Sequence, residues 1–118
     1  MNFLIISKVI QMEATKIDDV IVTAINKAAR YPSILKMGVF GSYARGEQNV
    51  ASDVDIIYDY DDTMVSDMLN CLHDIENHVN KKIDFIAYYL LFDEDIDEYD
   101  VSFRENVLKE VVWIYKKQ

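Results

Sequence analysis

Residues 41–60 read GSYARGEQNVASDVDIIYDY, and this stretch decides the fold. Gly41-Ser42 stops an apolar run at 34–40, ILKMGVF, which reads as a first strand. Residues 42–47 make about one helical turn, ended by Gly46 because a left-handed conformation costs glycine little. Small and polar residues at 48–52 form a loop. A second strand, 53–60, then alternates cleanly. Val54, Ile56, Tyr58 and Tyr60 point one way, and Asp53, Asp55, Ile57 and Asp59 the other. The spacing of two puts Asp53 and Asp55 on one face.

The rest of the chain continues the pattern. Ile10, Ile17, Val20, Ile21, Ala24, Ile25 and Ala28 carry helical spacing over about 8–30, ending before Tyr31-Pro32. Asp61-Asp62-Thr63 reads as a turn and helix cap. Met64, Met68, Leu72, Ile75 and Val79 then trace an amphipathic helix to about residue 80. Residues 82–90, KIDFIAYYL, predict a third strand with Asp84 as the charge inside it. A helix over about 101–109 and a last strand at 111–115 complete the order. The expectation is an α+β chain, one domain over 1–118, with a small mixed sheet of about four strands and helices packed on it.

Composition narrows the function. The chain is 51% hydrophobic with three Gly and one Pro, so disorder is excluded. A formal net charge of -9 repels phosphate backbones and argues against nucleic acid as a partner. It suits divalent cations or a basic protein. The Tyr and Phe residues are not interleaved with basic ones, so they read as core and interface rather than a base-stacking platform. Cys71 is the one cysteine; it reads as a buried or half-buried free thiol and points to a reducing, cytoplasmic setting. The apolar run Phe3-Leu4-Ile5-Ile6 is too short for a signal peptide or a membrane span. His73 and His78 lack metal-ligand spacing and read as surface residues. The acidic run at 93–100, DEDIDEYD, reads as solvated or partner-facing.

Three carboxylates beside a glycine–serine turn suit a divalent metal and a nucleoside triphosphate. Magnesium prefers hard carboxylate oxygens and takes few protein ligands. Asp53 and Asp55 are spaced to bridge two ions roughly 3.5–4 Å apart, the arrangement that stabilises attacking and leaving oxygens together. Asp84 is placed to complete one ion's site, or to take the acceptor's proton. Gly41 lets the backbone approach a phosphate, the Ser42 hydroxyl donates a hydrogen bond, and Arg45 lies one turn on. Each element alone is bland, since Asp-x-Asp is common in turns and edge strands. The combination in this order is not.

Gly41, Ser42, Arg45, Gly46, Ser52, Asp53, Asp55 and Asp84, with the closing FRENVLKEVVWIY at 103–115, resemble the minimal nucleotidyltransferases of the DNA polymerase beta superfamily. One departure is Val111, where such endings often have glycine. The resemblance implies a nucleotide site of Gly41, Ser42, Arg45 and Ser52. It also implies two Mg²⁺ ions held by Asp53, Asp55 and Asp84, the catalytic carboxylates. Members with intact motifs look like antitoxins of toxin–antitoxin pairs. The implied activity is transfer of AMP from ATP to a tyrosine of a HEPN-domain ribonuclease toxin, with which a hetero-oligomer forms. The short chain independently favours a protein acceptor, because little of it remains to build a second small-substrate pocket. Two other readings stay open: neutralisation by binding alone, and small-molecule transfer of the aminoglycoside-modifying type.

Overall fold

The structure is a computed structural model that describes residues 18–92 and 98–118, with only the backbone course given for 98–100. The first helix, α1, spans Asp19–Arg30. The Asp18 carboxylate caps it by accepting hydrogen bonds from the Val20 and Ile21 amides at 3.1 and 3.3 Å. Lys27 and Arg30 occupy its last turn, where positive charge suits the helix dipole. The expected start near residue 8 lies outside the described residues.

Strand β1 is Ile34–Phe40, α2 is Ser42–Arg45, and β2 is Val54–Tyr60. Helix α3 spans Val65–His78 and β3 spans Ile83–Ala87. A 3₁₀ turn at Tyr88–Phe92, helix α4 at Glu98–Glu110 and strand β4 at Val112–Lys116 follow. The sheet order is β3-β2-β1-β4. β1 pairs antiparallel with β2 and β4, while β2 and β3 run parallel around the α3 crossover. This is the mixed four-stranded α+β sheet that the sequence predicts.

The alternation in β2 is real because both faces are covered. Val54, Ile56 and Tyr58 pack with Ile21, Ala24, Ile25 and Ala28 of α1 and Met68, Cys71 and Ile75 of α3. Ile57 turns the other way, into a smaller cluster with Phe40, Leu91 and Val107. Asp55 therefore shares the face of Ile57, toward the 3₁₀ turn and α4.

Beyond shifts of one to three residues at the ends of β2, α4 and β4, two features differ from the expectation. The third strand stops at Ala87 instead of running to 90. Tyr88 stacks edge-on against Trp113 at 5.7 Å and Leu91 enters the second cluster, so the chain curls over the sheet. The turn at 61–63 does not cap α3. The Asp61 carboxylate is occupied by the Thr63 amide and hydroxyl at 2.9 and 2.6 Å, and Met64 stands at the N-cap without a side-chain bond.

The free thiol of Cys71 is buried, as expected, and burial pushes it up from the ordinary 9.0 to about 12. Thiolate is the reactive form, so native Cys71 should resist a disulfide reagent at pH 8 that labels the unfolded chain at once. Rapid labelling of the native protein would contradict this packing. The sign on stability follows from linkage. The folded state keeps a proton that the unfolded state loses above pH 9, so stability should fall as pH rises from 9 toward 12. Tyr58 and Tyr115, also raised by burial, act in the same direction.

Candidate active site

The strand register collects the site along one edge of the sheet. Phe40 at the end of β1 pairs with Asp55, and Asp55 pairs in turn with Asp84 across the parallel β2–β3 ladder. On the other flank, Val39 pairs with Val112 at the start of β4. The end of β1 and the beginnings of β2, β3 and β4 thus lie side by side.

Gly41 leaves β1 with φ 68° and ψ −144°. Its backbone lies so close to Asp55 that an added Cβ would be 2.7 Å from the Asp55 Oδ2. The short α2 follows and ends at Gly46, whose left-handed φ of 70° lets its amide reach the Ser42 carbonyl. Tyr43 pins this turn to the main core with a fully buried ring. Its hydroxyl is buried with no hydrogen-bond partner among the described residues, so the ring's role is packing. Sequence reasoning passed over Tyr43; an aromatic between Ser42 and Arg45 was the available signal.

The electrostatics at this edge are those of crowded anions. Asp55 is half-buried, and its carboxyl is raised above the usual range. Burial is the main cause, followed by the charges of Asp84 and Asp53, with Glu110 adding to them and Arg45 opposing. Asp53 and Asp84 are exposed. Lys82 approaches Asp84 only to 3.9 Å, with both side chains largely in water, where such a pair contributes little.

Among the described residues, no three carboxylate, imidazole or thiol side chains are gathered closely enough to hold a metal by themselves. Magnesium does not require that, because it keeps waters and substrate phosphates among its ligands. The donor chemistry fits, since hard anionic oxygens that repel one another favour a cation between them. The glycine cradle against Asp55 leaves room that a side chain would fill.

The other expected nucleotide contacts are placed as follows. Ser42 is partly exposed at the start of α2. The Arg45 guanidinium donates to Glu47 through Nε and to Glu110 through Nη1, both at 2.9 Å. The Ser52 hydroxyl accepts a hydrogen bond from the Asn49 amide at 2.9 Å, so it shapes the loop before Asp53. Lys81 fastens that loop by donating to the Asn49 and Ser52 carbonyls at 2.8 and 3.4 Å. Glu110 and Lys81 were not singled out in the sequence, because their partners lie 65 and about 30 residues away. His73 and His78 are exposed, as expected.

A family model described as "Polymerase beta, Nucleotidyltransferase" matches residues 23–118, which include every strand and the whole carboxylate edge. The chain belongs to this nucleotidyltransferase family. Two curated relatives come from Methanocaldococcus jannaschii. "Putative protein adenylyltransferase MJ0435" is 35% identical over 63 residues, covering 48% of this chain and 68% of its own length. MJ1379, of the same description, is 36% identical over 57 residues, covering 46% of this chain and 57% of its own length. The chain thus spans little more than half the length of the second. Among solved structures, a toxin–antitoxin with AMP-PNP is similar, with a TM-score of 0.58 and 18% identity over 83% of this chain and 74% of that one. At that identity the likeness is one of fold. No helix among the described residues of this nucleotidyltransferase is long and apolar enough to cross a membrane.

Proposed function

We propose that this nucleotidyltransferase is an antitoxin that moves AMP from ATP to a tyrosine hydroxyl of a HEPN-domain ribonuclease toxin and so silences it. The observation that carries the reading is the pairing of Asp55 with Asp84 in register beside the Gly41 turn, with Asp53 two residues before Asp55, at one sheet edge. The curated relatives, described as protein adenylyltransferases, and the toxin–antitoxin fold neighbour support the choice of acceptor and partner. So does the net charge of -9, which suits a basic, RNA-binding protein.

In this reading Asp53, Asp55 and Asp84 would hold Mg²⁺ ions, two in number, which would supply charge stabilisation to the attacking and leaving oxygens. Gly41 admits the triphosphate close to the backbone, while Ser42 and Arg45 orient it. Ser52 contributes through the loop that aims Asp53. Asp84, on the outer strand, completes one ion's site or takes the acceptor's proton. The tyrosine oxygen then forms its bond to the α-phosphorus as the bond to the bridging oxygen breaks, and pyrophosphate leaves. In this reading the partner presents the acceptor, in a cytoplasmic hetero-oligomer.

Intact-mass spectrometry of a neighbouring HEPN-domain toxin candidate tests the proposal. After incubation with the protein, ATP and Mg²⁺, the toxin should gain one or more AMP masses. The Asp53→Ala, Asp55→Ala variant should give none. An unchanged toxin mass, with both proteins still neutralising it, would establish neutralisation by contact alone. AMP found on a small molecule with no partner present would favour the aminoglycoside-type reading.

A further inference from the structure

The active edge carries one carboxylate that the proposed reaction does not use. Glu110 ends α4, two residues before β4, and β4 enters the sheet beside Val39 through Val112. It therefore flanks β1 on the side opposite Asp55, which pairs with Phe40. Arg45, the last residue of α2, bonds to it at 2.9 Å. Glu47, the second partner, is a neighbour two residues along, so Glu110 is the tie that reaches Arg45 from another element.

Arg45 has a competing attraction close by. Its backbone amide donates to the Gly41 carbonyl at 3.2 Å, and a Cβ on Gly41 would lie 2.7 Å from the Asp55 Oδ2, so the root of the Arg45 side chain stands beside Asp55. A guanidinium fork matches a carboxylate well, and the pairing strengthens where the carboxylate is half-buried. Without Glu110, Arg45 keeps only its bond to the exposed Glu47, and its free Nη1 can turn toward Asp55 and bring positive charge to the place a cation has to take.

We propose that Glu110 is a positioning residue that holds the Arg45 guanidinium off the Asp53, Asp55 and Asp84 carboxylates and keeps them open to a divalent cation. The inference rests on the reading of this edge as a metal-dependent nucleotide site. A merely structural tie between α4 and α2 has different consequences. Arg45 and Glu110 are 44% and 39% exposed, a setting in which an ion pair adds little to stability.

Calorimetric titration of Mn²⁺ into the full chain, with and without a saturating non-hydrolysable ATP analogue, separates these cases. Glu110→Ala should weaken Mn²⁺ binding about five- to tenfold. Adding Arg45→Ala should restore it to the level of Arg45→Ala alone, and the melting temperature should stay near that of the wild type. Glu110→Gln, which keeps a neutral acceptor for Arg45, should fall between. Unchanged Mn²⁺ affinity in Glu110→Ala would overturn the inference. A loss that persists in the double variant would do so too, because Glu110 would then be a ligand. A wild-type chain that binds neither Mn²⁺ nor the analogue would sink the nucleotide-site reading itself, and this inference with it.

Discussion

Asp55→Asn should abolish nucleotidyl transfer, by about a thousandfold or more, and at the same time raise the melting temperature of the free protein. The two effects share one cause. Asp55 is half-buried among Asp53, Asp84 and Glu110, and its carboxyl is raised first by burial and then by those charges. A folded pKa above the ordinary 3.8 means that the folded chain holds its proton more tightly than the unfolded one. Stability therefore falls as pH rises from 3.8 through the folded value, and the penalty persists above it. Asparagine keeps the shape and removes the charge, so the penalty goes while the anionic donor for the cation goes with it. The melts must be run without metal or nucleotide, since a ligand bound to the folded state stabilises it by mass action. Lost activity with a lowered melting temperature would mean instead that the Asp55 charge holds the fold together. Asp53 stands exposed at the mouth of the same strand, so Asp53→Asn should lose activity with no comparable gain in stability.

How much of this was legible in the sequence depended on whether a signal was local. The strand at 54–60 was readable because its two-residue period reports packing on two different clusters. The turn at 41–46 was readable because two glycines stand where φ is positive. Asp84 was found within its strand, but its register opposite Asp55 comes from the parallel β2–β3 ladder, which no local pattern encodes. YYLLF at 88–92 has strand-like composition, and only the positions of Trp113 and Val107 turn it into a 3₁₀ segment lying over the sheet. The Arg45 partners were hidden for the same reason. Glu47 carries no pattern that marks it as a partner, and Glu110 approaches only once β4 has paired beside β1.

Gly41→Ala should cost about 1–3 kcal/mol of stability and reduce transfer about a hundredfold, more than lost folding alone accounts for. Two physical terms act at this position. The backbone sits at φ 68° and ψ −144°, close to a region that is essentially reserved for glycine, so any side chain is strained there. The new Cβ would also lie 2.7 Å from the Asp55 Oδ2, closer than real Cβ contacts allow. The Asp55 carboxylate can rotate away, which limits the loss of stability but displaces the donor the chemistry needs. Gly38→Ala provides the comparison. Its Cβ would press on the Val111 Cγ2 at 2.7 Å and the Trp113 Cε3 at 3.0 Å, on the β4 flank and away from the carboxylates. That variant should lose stability yet keep its activity per folded molecule. If the two alanine variants instead lose activity only in proportion to their unfolded fractions, the close approach of Gly41 to Asp55 is a matter of packing and not of catalysis.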